Sequence, residues 1–179
     1  MSTPEVPPSP PEVPPAASLE QKLQEQIAAK VAVEQRLKGS VSWFYWIAAL
    51  SLINSIIVMA DGKVHFIIGL GVTTVVDAVA KQAGGIGLAA GMVINVFVAA
   101  ACAGFGVLGM RRKTWAIWLG MTLYTLDGLL LVLFQDWLSV AFHGYALYRI
   151  YQGLRAIQAL EAMEPKAASA VISSSSPMR

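Results

Sequence analysis

The stretch VHFIIGLGVTTVVDAVA, residues 64–80, decides how this chain is built, because the number of helices crossing a membrane turns on it. It is one of five apolar segments, the others being about 41–60, 84–110, 114–134 and 137–153. At 1.5 Å per residue it is about 26 Å long, a little short of the ~30 Å hydrocarbon layer. It also carries a polar stripe, with Gly69, Thr73, Asp77 and Lys81 following one another at i+4. Ile67, Ile68, Val72, Val75, Val76 and Val79 cover much of the rest. That pattern suits an interfacial or re-entrant helix, and it also suits a spanning helix with a polar face toward a bundle.

Charge placement separates the two. If all five segments cross and the N-terminus is cytoplasmic, Lys22, Lys30, Arg36, Lys38 and Lys81 lie inside, and Lys63, Arg111, Arg112, Lys113, Arg149 and Arg155 lie outside. That arrangement shows no excess of cations inside. If residues 64–80 do not cross, only Lys63 and Lys81 remain outside. Cytoplasmic loops carry the excess of Lys and Arg, so the four-crossing arrangement is favoured, with both termini in the cytoplasm. Trp43 with Trp46 and Trp115 with Trp118 each follow a basic cluster, which gives weak support to a shared side.

The whole composition agrees with a membrane class. The chain has 179 residues, 56% hydrophobic and 13% charged, against about 25% charged in soluble domains. The expected fold is therefore all-α: a polytopic helical membrane protein with four transmembrane helices, one interfacial, re-entrant or fifth spanning helix, and an N-terminal amphipathic helix. A net charge of +2 is too small to argue for nucleic acid.

The flanks read differently. Residues 1–17 hold seven of the nine prolines and predict a disordered tail, which could dock a protein partner but reads first as a linker. Residues 18–39 predict a cytoplasmic amphipathic helix, with Ser18 as cap, Leu19, Leu23, Ile27 and Val31 at four-residue spacing, and a stop at Gly39. An interfacial helix leading into the membrane is its expected use. No cleavable signal peptide is expected, so residues 41–60 read as an uncleaved signal-anchor. The transmembrane domain covers 41–156. A helix extension at 157–165 is predicted to end at Pro165, followed by a disordered Ala/Ser-rich tail at 166–179.

Several chemistries are excluded by residue counts. Cys102 is the only cysteine and reads as a packing residue, so no intrachain disulfide or Cys-rich zinc site is expected. His65 and His143 stand alone rather than in a metal-binding pair. No phosphate loop or nucleophile elbow is present, so neither enzymatic activity, nor a cofactor, nor a metal is expected.

What remains is a set of polar residues at membrane depth: Asn54, Asp77, Asn95, Asp127 and His143. Asp127 is the costliest, standing inside Tyr124–Leu130 (YTLDGLL), and should face protein or water or take up a proton. The turn between the last two segments is centred near Gln135 and Asp136, and residues equally far from a hairpin turn share a depth. Asp127 and His143 are therefore expected to meet as a buried hydrogen-bonded pair. Its two readings are a clasp fixing hairpin register, typically about 1 kcal/mol or less, and a proton-binding site in a transporter or pH sensor. The clasp is favoured. Asn54 and Asn95 read as interhelix hydrogen-bond donors.

The third segment carries small residues at packing spacing, Gly87 with Gly91 and Ala99 with Ala103. These faces are expected to pack within the chain, with contact to a partner protein as the alternative.

The stretches WFYWIAALSLI (Trp43–Ile53), FIIGLGVTTVVDAVA (Phe66–Ala80) and Trp115–Gly153 resemble small multi-spanning bacterial membrane proteins of no known activity. The likeness covers residues 41–153. It implies a bacterial inner-membrane address and brings no catalytic residue or ligand. The expected role is that of a structural, accessory or interaction protein of the membrane. The alternative is a small transporter or channel subunit using Asp77, Asp127 and His143.

Overall fold

The computed structural model describes residues 16–60 and 70–174, with side chains for 18–60 and 70–164. Among the described residues the chain is all helical: α1 (Ala16–Met59), α2 (Gly71–Ala83), α3 (Gly85–Met110), α4 (Thr114–Leu133) and α5 (Trp137–Ser174). Three helices are long and apolar enough to cross a membrane: Ser18–Met59 within α1, then α3 and α4.

Two helix ends differ from the sequence expectation. The amphipathic segment 18–39 and the first crossing are one continuous α1 of 44 residues, so the stop expected at Gly39 is absent. A glycine inside a helix costs about 1 kcal/mol. Here packing on both sides of it outweighs that cost: Leu37, Val41 and Phe44 are buried, and Gly153 of α5 lets its backbone come close to Ser40 and Val41. An unbroken helix also has no point at which residues 18–39 could turn into the plane of an interface. At the other end, α5 runs through Pro165 to Ser174, so 166–174 is helix rather than tail. Proline removes one backbone donor, and the alanine-rich sequence that follows has high helix propensity. Residues 1–15 and 175–179 of the expected tails lie outside the described residues.

Within the disputed segment the described helix is short. Its helix is α2, Gly71–Ala83, 13 residues or about 20 Å, too short to cross alone. Residues 64–69 lie outside the described residues. The start of α2 is not at the end of α1 but beside its interior: Leu70 N–H donates to Ser51 Oγ at 2.8 Å. Ser51 is about 12 Å back from Met59 along α1. From there α2 runs out to Gly84 (φ 71), and α3 returns against it.

The helix order and turns fix which described residues lie level with one another in the bundle. Both α3–α4 and α4–α5 close through the same tight turn, with a non-glycine residue in the left-handed conformation, Arg112 (φ 58) and Gln135 (φ 57). In each, the N–H groups return to the last turn of the preceding helix. Arg112 donates to Gly109 O and Lys113 to Leu108 O; Gln135 donates to Val132 O and Asp136 to Leu131 O. Asp136 then caps α5 through Ser139 N–H at 3.2 Å. The interior divides into two halves. Toward the Arg111–Lys113 turn it is apolar, with Val41, Phe44, Ile117, Ile150, Leu154 and Ile157 buried. Toward the opposite end sit nearly all of the buried polar groups.

Candidate functional site

The costliest residue of the sequence lies where α2 begins. The first N–H groups of a helix have no partner within it, and the helix dipole adds partial positive charge there. In the interior of a bundle those groups must be met by protein. Gly71 N–H donates to Asp127 Oδ2 at 2.7 Å and Val72 N–H to Asp127 Oδ1 at 2.8 Å. With Ser51 on Leu70, three successive N–H groups are satisfied by side chains of α1 and α4. Thr73 Oγ1–H closes the turn by donating to Leu70 O at 2.7 Å. The approach is close enough that a Cβ on Gly71 would stand 3.0 Å from the Leu131 side chain.

His143 of α5 completes the cluster. Its Nε2 lies 2.9 Å from Asp127 Oδ2 and its Nδ1 lies 2.9 Å from the Ser139 carbonyl. The ring stacks on Tyr124, with centroids 4.2 Å apart and planes 14° apart. Asp127 is 8% exposed and His143 is 2%. One carboxyl group thus accepts from two backbone amides, shares a hydrogen with one imidazole, and joins α2, α4 and α5.

A second cluster lies along the seam of α1, α2 and α3. Asn95 Nδ2 donates to Asp77 Oδ1 at 2.6 Å and to Ser55 Oγ at 2.9 Å, and Ser55 also hydrogen-bonds Asp77. Asp77 Oδ2 and Asn95 Oδ1 are buried with no hydrogen-bond partner. Asn54 is buried beside this seam on α1.

The five polar residues expected at membrane depth are therefore all buried, but in two groups: Asp127 with His143, and Asp77 with Asn95, with Asn54 beside the second. Reading by residue type missed what links them to the fold. Ser51 and Ser55 gave no signal, because a serine in an apolar helix usually bonds its own backbone, as Ser51 does to Ile47 O at 2.8 Å. Tyr124 was legible only as one more aromatic.

The small residues of α3 are used inside the chain. A Cβ on Gly91 would stand 2.6 Å from Ala80 Cβ, and one on Gly87 would stand 2.4 Å from Ala83 Cβ. The α2–α3 hairpin therefore takes up the Gly87–Gly91 face. Ala99 is buried in the core and Ala103 packs against it. Among the described residues no group of three or more His, Cys, Asp or Glu is placed to hold a metal ion.

Comparison with protein-family models, with curated proteins and with solved structures found no match.

Proposed function

We propose that the chain is a membrane-embedded structural or accessory protein, not an enzyme, built on four crossings with both termini cytoplasmic. The observation that carries this reading is the mutual satisfaction of Asp127 and the start of α2. The one carboxylate set against an inward-pointing helix N-terminus is fully engaged by Gly71, Val72 and His143. A transporter holds such a terminus open for its substrate; here it is sealed by the protein itself.

The fourth crossing in this reading is α5. Its support is pairing with α4 and α1 over the full depth, from His143 opposite Asp127 to Gly153 against Ser40. The bacterial inner-membrane address rests on the sequence resemblance alone. Partners meet the protein on the cytoplasmic side, through the Pro-rich residues 1–17 or the α1 stripe of Leu19, Leu23, Ile27 and Val31, each about half exposed. No nucleic acid is involved.

The reading is tested in three parts. Reporter fusions after Arg112 and after Gln135 should report cytoplasm and exterior respectively; an exterior signal after Arg112 overturns the four-crossing topology. Proteins cross-linked to the chain in native membranes should be lost in Leu23→Glu and Ile27→Glu, and retention of all of them removes the stripe as the contact. Purified chain in lipid vesicles should pass no ions above protein-free vesicles. A flux abolished by Asp127→Ala would overturn the accessory reading.

The second reading, a small transporter or channel subunit using Asp77, Asp127 and His143, draws its support from the bare Asp77 oxygen, and the same flux measurement decides it.

A further inference from the structure

The cluster at Asp77 has an imbalance that the Asp127 cluster lacks. Its donors can be counted: the two hydrogens of Asn95 Nδ2 go to Asp77 Oδ1 and Ser55 Oγ, and Ser55 has a single hydroxyl hydrogen for Asp77. All are used. Two acceptors remain, Asp77 Oδ2 and Asn95 Oδ1, both buried and both without a partner. Turning the Asn95 amide over does not help, because its oxygen would then face the carboxylate oxygen it now donates to.

Among the described residues, the helices that wall the cluster supply no counter-charge. α1 from Val41 to Met59 and the whole of α3, which wall the cluster, contain no Asp, Glu, Lys, Arg or His. Cys102, the titratable group of α3, is about two turns beyond Asn95, with its thiol donating to Phe44 O at 3.4 Å. Lys81, one turn along α2, is exposed. On α4 and α5, Asp127 and His143 are engaged with each other, and Tyr124 stacks on the imidazole. An ionised carboxylate whose buried oxygen meets no donor carries a desolvation cost that a neutral acid avoids. A hydrogen on Oδ2 removes the charge and changes one of the two spare acceptors into the donor that the cluster lacks.

We propose that Asp77, held by Asn95 and Ser55 at the α1–α2–α3 seam, is a proton-binding site that carries its proton on Oδ2 at neutral pH. The ligand class is the proton rather than a metal cation, because the cluster offers two free oxygens where a hard cation takes six or more. The site is separate from Asp127–His143, and it stands whether the protein is an accessory subunit or a transporter.

The test is infrared spectroscopy of the full chain in lipid vesicles at neutral pH, which reads the carbonyl stretch of a protonated carboxylic acid. The wild type should show such a band that is lost in Asp77→Asn and kept in Asp127→Asn. Absence of any Asp77-dependent band overturns the proposal. If Asp77→Asn does not fold, the wild type carrying ¹³C-labelled aspartate gives the same answer: a carboxyl carbon should have the shift of a neutral acid, and that signal should be absent in Asp77→Glu. Four ionised aspartates overturn the proposal. Sodium or lithium added at constant pH should leave the band unchanged; its loss would make the site a metal-cation site and overturn the assignment to the proton.

Discussion

His143 Nε2 and Asp127 Oδ2 stand 2.9 Å apart, while His143 Nδ1 faces the Ser139 carbonyl at the same distance. A carbonyl oxygen only accepts, so Nδ1 carries a hydrogen. A second hydrogen must lie between Nε2 and Oδ2, whichever atom owns it. The pair therefore carries one shared proton and no net charge in either form, which is how two ionisable side chains are accommodated at this depth.

Asp127→Asn breaks this arrangement at one place. The amide oxygen can still take Val72 N–H, and the amide nitrogen can donate to a neutral His143. Gly71 N–H is then left facing a donor. The expected loss is about 1–3 kcal/mol, the cost of one buried unsatisfied group. Asp127→Ala strands both amides and should lose more. Thermal unfolding in detergent orders the two, and ¹⁵N spectra should show His143 Nε2 without a hydrogen in Asp127→Asn. Equal losses for Asn and Ala would mean that the cap on α2 contributes nothing.

The direct coupling of Asp127 with His143 should be modest. In membrane helices such pairs average about 0.6 kcal/mol and reach about 1.7. A double-mutant cycle of Asp127→Ala with His143→Ala should give a value in that range, while the Asp127 single variant costs more. The excess measures the part that Asp127 contributes through Gly71 and Val72.

Gly91 tests the α2–α3 contact. A Cβ there would stand 2.6 Å from Ala80 Cβ, so Gly91→Ala forces the two helices apart and Gly91→Val more so. Overpacking of this kind costs about 1–3 kcal/mol. Because Asn95 lies one turn further along α3, the same separation should loosen its bond to Asp77. Thermal unfolding of Gly91→Val, with Gly104→Val as a control at a glycine with open space around it, gives the comparison.

The meeting of Asp127 and His143 was legible because a short turn fixes equal depths on its two sides, and depth needs only counting. The capping of α2 by Asp127 was not, since it joins positions more than fifty residues apart and depends on where a short helix begins inside the bundle. The boundaries at Gly39 and Pro165 were misread for a related reason. Both residues oppose helix locally, and both are overruled by context: packing of Leu37, Ser40 and Val41 against α5 on either side of Gly39, and a helix-forming sequence on the far side of Pro165. The α3 glycines were legible as packing residues, but nothing in the sequence named α2 as the helix they receive.

Gln135 offers a stabilising change. It holds a left-handed backbone (φ 57) between α4 and α5, a conformation that costs a side-chain-bearing residue about 1–2 kcal/mol and glycine almost nothing. Its backbone N–H bond to Val132 O does not depend on its side chain. Gln135→Gly should therefore raise stability by about 0.5–1 kcal/mol after the entropy of the freer unfolded chain is subtracted. An unchanged or lowered thermal midpoint would show that the Gln135 side chain has a role of its own at the turn.

Arg112 has the same backbone conformation in the other hairpin, yet the same change should act in the opposite direction. Its guanidinium reaches Glu164 of α5 at 2.6 Å and Glu34 of α1 at 3.2 Å, tying both long helices to the α3–α4 turn. All three side chains are about a third to a half exposed, so each pair is screened and contributes less than about 1 kcal/mol. Arg112→Gly relieves the backbone but leaves two glutamates on neighbouring helices without their shared cation. The expected result is a small net loss at low salt that shrinks or reverses near ~1 M salt, where charge interactions fade beyond about 3 Å. Limited proteolysis after residue 160 should quicken in Arg112→Gly at low salt, because the α5 extension loses its tie. A salt-independent effect would show that the turn backbone, not the two ion pairs, determines how firmly α1 and α5 are held together.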